Sequence, residues 1–157
     1  MDNAQLGEAL TSLGYDVTTH DDFLEIGFTG DDPDETRATA ISFRGPTAGM
    51  QMLMVSTSYP YGATADNLDD VRLAAHECTQ YLVLGHFEVD DDHSLHLRFS
   101  TLLPDTDEVP VDQIGQVLAL LDTQQQHFGD YLEMLCKGET ELSRFAELVA
   151  AGEQIDL

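Results

Sequence analysis

Apolar and polar positions change period several times along this chain, and the clearest change lies between Asp66 and Leu103. There a helical spacing rich in small and apolar residues gives way, at Gly85, to two short alternating runs separated by three aspartates. The first run sets Phe87 and Val89 against His86, Glu88 and Asp90. The second sets Leu95, Leu97 and Phe99 against His96, Arg98 and Ser100, and a period of two is what one buried face and one wet face produce. The pattern predicts a helix followed by a hairpin that pairs Val89 with Leu95 across a loop from Asp90 to Ser94.

Upstream, Asn3 is placed to cap a first helix carrying Leu6, Ala9, Leu10 and Leu13 on one face, with Gly14 at its C-terminal cap. After a polar stretch from Asp16 to Asp22, Phe23 to Phe28 reads as a strand closed by the turn series Gly30, Asp31, Asp32, Pro33 and Asp34. A second strand runs from Thr36 to Arg44, with Thr39, Ile41 and Phe43 on one side, and Gly45-Pro46 ends it. A third runs from Met50 to Thr57 and is apolar on both sides, with Met50, Met52 and Met54 opposed to Leu53 and Val55, so it is central or has its second face covered. The methionine ladder reads either as gap-filling core under a helix or as a polarizable surface for a partner. The loop Tyr59-Pro60-Tyr61-Gly62 then exposes two aromatics as a recognition lip or forms a simple tight turn.

The second helix starts at Asp66 as cap, with Asp69 and Asp70 in its first turn. Its core stripe is Leu68, Val71, Ala75, Cys78 and Leu82, flanked by Leu73, Ala74 and Tyr81. That is wider than one sheet face needs, which marks Leu73 and Tyr81 as a subunit contact. After the acidic loop from Leu102 to Pro110, the stripe Ile114, Val117, Leu118, Leu121, Phe128, Leu132 and Leu135 is interrupted by Gln125. If continuous from Val111 to Lys137 it spans about 40 Å, as wide as a domain of this size, which is roughly 39 Å across, so a break near Gly129 or an overhang is expected. A last helix, about 139–151, carries Leu142, Phe145, Leu148 and Val149 ahead of a loose tail.

Length and composition suit one domain over 1–157: 157 residues, 42% of them hydrophobic, make a single core. No run is long and apolar enough to cross a bilayer, and the first residues lack the basic start and apolar stretch of a signal peptide, so a cytoplasmic protein is expected. Cys78 and Cys136 sit far apart in apolar patterns and read as small buried hydrophobes rather than a disulfide. Charge alters the picture most. Thirty acids against six bases give a formal net charge of -24. With the arginines Arg37, Arg44, Arg72, Arg98 and Arg144 scattered singly and Lys137 the one lysine, nucleic acid and anionic membranes are not expected partners. What remains is a halophile-like solvated surface, an acidic protein that binds another polypeptide, or both.

Chemistry is sparse. His86, Glu88 and His96 are neighbours on the polar face of the hairpin, with His93 and Asp90 to Asp92 at its turn, the nearest approach to a metal or catalytic constellation. No metal-helix, EF-hand, nucleophile-elbow, P-loop or dinucleotide motif accompanies it. His76 and His127 lie within helices and read as surface or satisfied groups. No cofactor is expected and the chain reads as non-catalytic.

The order helix, three strands, helix, two strands, helix resembles the type III secretion chaperone-like fold, and the helix and hairpin from Asp66 to Leu103 followed by the long helix resemble the related YbjN family of proposed bacterial regulators. The resemblance covers about residues 3–137 and rests on element order, size and acidity, so no functional residue is carried over; the C-terminal helix is additional to it. It implies an α+β fold, an antiparallel sheet backed by helices in two layers, often dimeric, whose exposed surfaces bind an extended segment of another protein. The expectation is therefore a chaperone-like or regulatory protein-binding module, using Met50, Met52, Met54, Tyr59 and Tyr61 toward its partner and Leu73 and Tyr81 in a homodimer. The alternative is an enzyme or a small-ligand or metal binder using the polar face of the 86–98 hairpin.

The charge yields a first prediction. Self-repulsion couples much of the molecule where the Debye length is about 30 Å, at 0.01 M salt, and is relieved at about 3 Å in molar salt. The melting temperature is expected to rise with salt, and by a similar amount in sodium chloride and in a weakly salting-out salt. A flat melt between dilute buffer and molar salt removes the halophile-like reading.

Overall fold

The computed structural model describes residues 2–28, 37–106, 108–145 and 147. Helix α1 (Asn3–Ser12) begins with a capping box: Asp2 Oδ1 accepts the Gln5 N–H at 2.9 Å and Gln5 Oε1 accepts the Asp2 N–H at 3.0 Å. Asp2, not Asn3, is therefore the cap. Asn3 instead accepts the Phe43 N–H at 3.0 Å and donates to the Asp22 carbonyl at 3.1 Å, tying the helix to the sheet. Leu6 and Leu10 are buried, and Gly14 takes the expected left-handed conformation after the helix.

Six strands follow in one antiparallel sheet: β1 (Val17–Thr19), β2 (Leu24–Phe28), β3 (Arg37–Thr47), β4 (Met50–Gly62), β5 (His86–Val89) and β6 (Ser94–Pro104). Their spatial order is β1-β2-β3-β4-β6-β5. The fold is α+β, as expected, with β1 as an added edge strand inside the stretch read as polar; three residues are too few to show a period. The turn series Gly30 to Asp34 and Thr36 lie outside the described residues.

Two strands run further than the sequence pattern suggests. Gly45-Pro46 does not end β3, because the ladder to β4 is interrupted between Arg44 and Thr47, and a bulge tolerates a residue without an N–H. The turn falls at Ala48-Gly49, both with positive φ, the geometry of a tight hairpin. Strand β4 likewise continues through Tyr59-Pro60-Tyr61, with Pro60 inside the register shift between Ser58 and Gly62. The hairpin register is the expected one, Val89 opposite Leu95. His93 takes the left-handed position that a glycine would usually fill.

Among the described residues the helices lie on one side of the sheet. Helix α2 (Leu68–Thr79) buries Val71, Ala74, Ala75 and Cys78, so Ala74 belongs to the core rather than the flank, and Tyr81 and Leu82 follow the end of the helix. Asp66 is not its cap. Asn67 stands at the cap position and works sideways: its oxygen accepts the Thr64 N–H at 2.7 Å, and its amide donates to the carbonyls of Leu135 and Cys136, each at 2.9 Å. These last are C-terminal carbonyls of the helix Asp130–Cys136, a position where carbonyls lack partners within the helix.

The long stripe is one helical line in three parts: α3 (Val111–Gln124), a π turn (Gln125–Gly129) and α4 (Asp130–Cys136). The interruption of the stripe at Gln125 is the start of the π turn, which inserts a residue without ending the helix, so the expected break near Gly129 does not occur and the helical line runs on to Cys136. Gln124 and Gln125 are both buried. Gln124 Oε1 accepts the N–H groups of Val83 (2.6 Å) and Leu84 (3.0 Å), and its amide donates to the Leu84 carbonyl at 2.9 Å. The last helix does not begin at Glu139: a 3-10 turn covers Leu142–Arg144, Phe145 and Glu147 are helical, and Leu148, Val149 and the tail lie outside the described residues.

Gly129, the last residue of the π turn, packs directly against Tyr59. A Cβ there would lie 2.7 Å from the Tyr59 hydroxyl oxygen, and that buried hydroxyl has no hydrogen-bond partner among the described residues. Gly129→Ala is expected to destabilise by about 1–3 kcal/mol through overpacking, less whatever the better helix propensity of alanine returns. Tyr59→Phe, which removes an unsatisfied group, is expected to be neutral or stabilising by about 1 kcal/mol, and to rescue Gly129→Ala in part, since the ring carbon Cε1 stays 3.0 Å from the added Cβ. Urea unfolding of the two single variants and the double variant measures this, and a loss of stability in Tyr59→Phe would sink it.

The core also sets an alkaline limit. Burial pushes the Cys78 thiol up to about 12 and the Cys136 thiol up to about 11, whereas thiols of the unfolded chain ionise near 8.5. Above that pH the unfolded state holds fewer protons than the folded one, so stability is full below about pH 8 and falls as pH rises toward 11. Urea midpoints measured from pH 7 to 10 are expected to decline, and to decline less in Cys78→Ala than in the wild type.

Candidate functional site

Because the helices cover one face of the sheet, the period of two along each strand sorts residues into core and an open face. On β4, Leu53, Val55, Thr57 and Tyr59 are buried, while Met50, Met52, Met54, Ser56 and Ser58 point the other way. Register then builds rows across the open face. Arg44, Met52 and Leu102 stand side by side; Ser42, Met54 and Ser100 form the next row; then Glu25, Ala40, Ser56, Arg98 and His86; then Ala38, Ser58, His96 and Glu88.

Three zones result. One end is apolar with a single cation: Met52 is 39% and Leu102 57% exposed, and Arg44 has no ion pair among the described residues. The middle is floored by small side chains, Ala38, Ala40, Ser42, Ser56 and Ser100. The other end is a polar network. Arg98 donates to Glu88 and Asp90, both at 2.7 Å. His96 lies between Ser58 Oγ (3.1 Å from Nδ1) and Ser94 Oγ (3.0 Å from Nε2), with Asp90 Oδ2 3.2 Å from Nε2. Asp92 accepts from the Ser94 hydroxyl in turn, and that bond, with one from the Ser94 N–H, holds its carboxyl below the usual range.

The chemistry this network supports is limited by what surrounds it. Ser58, His96 and Asp90 follow the order of a hydroxyl, a base and an orienting carboxylate. Yet Ser58 sits in mid-strand, paired on both sides with Ala38 and His96, on a flat face where ladder bonds take up the backbone N–H groups that would have to stabilise an oxyanion. The metal constellation of His86, Glu88 and His96 does not converge either. Glu88 is held by Arg98, His86 approaches it only to 3.7 Å, and His96 turns to Asp90. No group of three or more His, Cys, Asp or Glu placed for a metal ion occurs among the described residues. Exposed His76 and half-buried His127, the latter packed edge-on against Phe128 at 4.5 Å, lie on the helical layer.

The two tyrosines do not form a lip. Tyr59 faces the core, 6% exposed, with the Arg37 guanidinium 5.2 Å above its ring. Arg37 also pairs with Asp130 at 2.8 Å. Tyr61 is half-buried under the Lys137 ammonium at 3.8 Å, and that ammonium is paired with Glu133 at 2.7 Å. Loop exposure was expected because a proline between aromatics reads as a turn; a bulged strand accommodates it equally well. Leu73 and Tyr81 are exposed on the helical layer, Tyr81 lying 6.1 Å from the ring of Phe145. They are remote from the open face.

The rows add two residues that pattern reading left aside. Leu102 is an apolar residue in the outward phase of β6, after His96, Arg98 and Ser100, and Arg44 holds the outward phase of β3 after Ala38, Ala40 and Ser42. Each breaks the character of its own alternation, which is the signal in the sequence.

No family model and no curated protein sequence matches the chain. Among solved structures it is similar to YbjN from E. coli, with a TM-score of 0.49 and 12% identity over 92% of this chain and 91% of that one. It is also similar to an uncharacterized protein from Methanothermobacter thermautotrophicus, with a TM-score of 0.49 and 6% identity over 87% and 99% of the two chains. A chain of the HopA1-SchA chaperone-effector complex is similar at a TM-score of 0.44 and 14% identity, over 80% and 90%. Both groups that the sequence resembles thus recur among the similar structures, as likeness in the arrangement of elements.

Proposed function

We propose that the protein is a binding module for another polypeptide, chaperone-like or regulatory, whose open sheet face covers an apolar segment of that partner. The observation that carries this reading is the exposed pair Met52 and Leu102, adjacent in register, beside Met54 and Arg44, which has no ion pair among the described residues. Elsewhere the open face is small or internally neutralised. Methionine suits such a surface because its unbranched, polarizable side chain repacks around varied partners. Met50, at the turn end of β4, extends the same patch.

Charge narrows the partner. A net charge of -24 attracts cationic chains at long range and repels phosphate backbones and anionic membranes. The expected ligand is a segment with a few large apolar side chains flanked by Lys or Arg. No helix among the described residues is long and apolar enough to cross a membrane. The polar end of the face supports the rival, catalytic or metal-binding, reading poorly, since Glu88 and Asp90 are already paired with Arg98.

An immobilised peptide library tests this. The wild type is expected to retain apolar peptides with cationic flanks over acidic or polar ones. Met52→Asp, an exposed change that leaves the core and β6 alone, is expected to weaken that retention about tenfold or more, as losing burial of one large apolar side chain requires, with an unaltered melting temperature. Equal retention by Met52→Asp, or none by the wild type, overturns the proposal.

A further inference from the structure

Strands β5 and β6 differ greatly in length. β5 pairs with β6 only from Leu95 to Arg98, whereas β6 continues to Pro104 along β4. From Phe99 onward β6 has a neighbouring strand on one side only among the described residues. The reason is local: Gly85, at φ +79, turns the chain away, and a Cβ on it would lie 2.6 Å from the Arg98 carbonyl oxygen. The Gln124 side chain then holds Leu84 against α3.

The direction of the peptide groups along this edge follows from two bonds. The Asp90 N–H donates to the Ser94 carbonyl at 2.9 Å, so Ser94 faces β5. The Ala63 N–H donates to the His93 carbonyl at 2.8 Å, on the β4 side. Successive residues of a strand turn their N–H and C=O groups to opposite sides. Ser100 and Leu102 therefore direct theirs out of the sheet, away from β4, while Phe99, Thr101 and Leu103 bond to β4. The closeness of Gly85 to the Arg98 carbonyl agrees with this phase.

We infer that this edge pairs with the same edge of a second copy of the chain, antiparallel about a two-fold axis at Thr101. In that register Ser100 of each copy lies opposite Leu102 of the other, and both have outward N–H and C=O groups to exchange. The frame closes itself: Gly85 bounds it at one end, and Pro104, which lacks an N–H, bounds it at the other. Phe99 to Pro104 is an uncharged stretch in a chain of net charge -24, so the one long edge without a second strand neighbour among the described residues is also where two copies meet without opposing carboxylates. Proteins usually guard such an edge with charge, brevity or a bulge. Here β1 and β5 are short, and this edge has no charged side chain. Pairing would also set Leu102 opposite Ser100 of the second copy and in one row with the Met54 beyond it, joining the two methionine patches across one continuous sheet. It would leave Leu73 and Tyr81 of α2 outside the contact.

Thr101 would face its own counterpart as a non-hydrogen-bonded pair at a Cα separation of about 4.5 Å, within the range a disulfide spans. Cys78 and Cys136 are buried and do not compete. Mild oxidation of Thr101→Cys is expected to give a covalent dimer, while Leu73→Cys and Tyr81→Cys stay monomeric on denaturing gels. Sedimentation of the wild type is expected to show monomer at 0.01 M salt and dimer in molar salt, as repulsion between two acidic chains is screened. Ser100→Pro removes one outward N–H without touching the ladder to β4, and is expected to raise the concentration needed for dimer about tenfold or more at an unchanged melting temperature. A wild type that stays monomeric in molar salt overturns the inference, as does cross-linking through Leu73→Cys or Tyr81→Cys in place of Thr101→Cys. If Ser100→Pro fails to fold, Thr101→Cys still decides.

Discussion

The one-sided covering of the sheet is the constraint on which the rest of the structure depends. Strand β4 is central, and its alternation assigns Leu53, Val55, Thr57 and Tyr59 to the helical layer and the methionines to the other face. A one-residue slip against β3 or β6 would exchange those sets. The buried Thr39–Thr57 hydroxyl pair, 2.8 Å apart, resists such a slip at the centre. So does Asn3, which fixes α1 to one particular amide of β3. Register, more than any single contact, decides what the open face presents.

Much of the architecture is written in period and punctuation. The hairpin register, the buried stripe of α1 and the central place of β4 follow from alternation and spacing, because each concerns many residues obeying one geometry. What is hard to read is whatever depends on a single side chain reaching far along the sequence. Asn67 binding the end of α4, Gln124 binding Val83 and Leu84, and Arg37 stacking on Tyr59 all join residues tens of positions apart. None has a periodic signature. The tyrosines misled for the same reason, since a bulge around Pro60 is settled by the neighbouring strands and not by the local sequence.

The few cations of this acidic chain are placed economically. Arg37 and Lys137 join α4 to the end of β4 through Asp130, Glu133 and two aromatic rings. Arg98 neutralises Glu88 and Asp90 on the hairpin. These pairs are partly exposed, so each is worth roughly 1 kcal/mol or less. Their greater effect is to reduce repulsion among carboxylates that lie close together. Among the described residues Arg44 takes no part in this, which leaves it as a positive feature of the apolar end of the open face.

The grip of Gln124 on Val83 and Leu84 has a further consequence for how the molecule opens. The side-chain amide of a helix stands in for a strand's peptide unit, so the connection between α2 and β5 is bonded to the helical line although the Val83 side chain is largely in solvent. Surface loops ordinarily fray on their own, at little free-energy cost. This one is held to opening in concert with α3, which places a surface connection in the same cooperative unit as the core and leaves the short strand β5 anchored at the point where it would otherwise begin to peel.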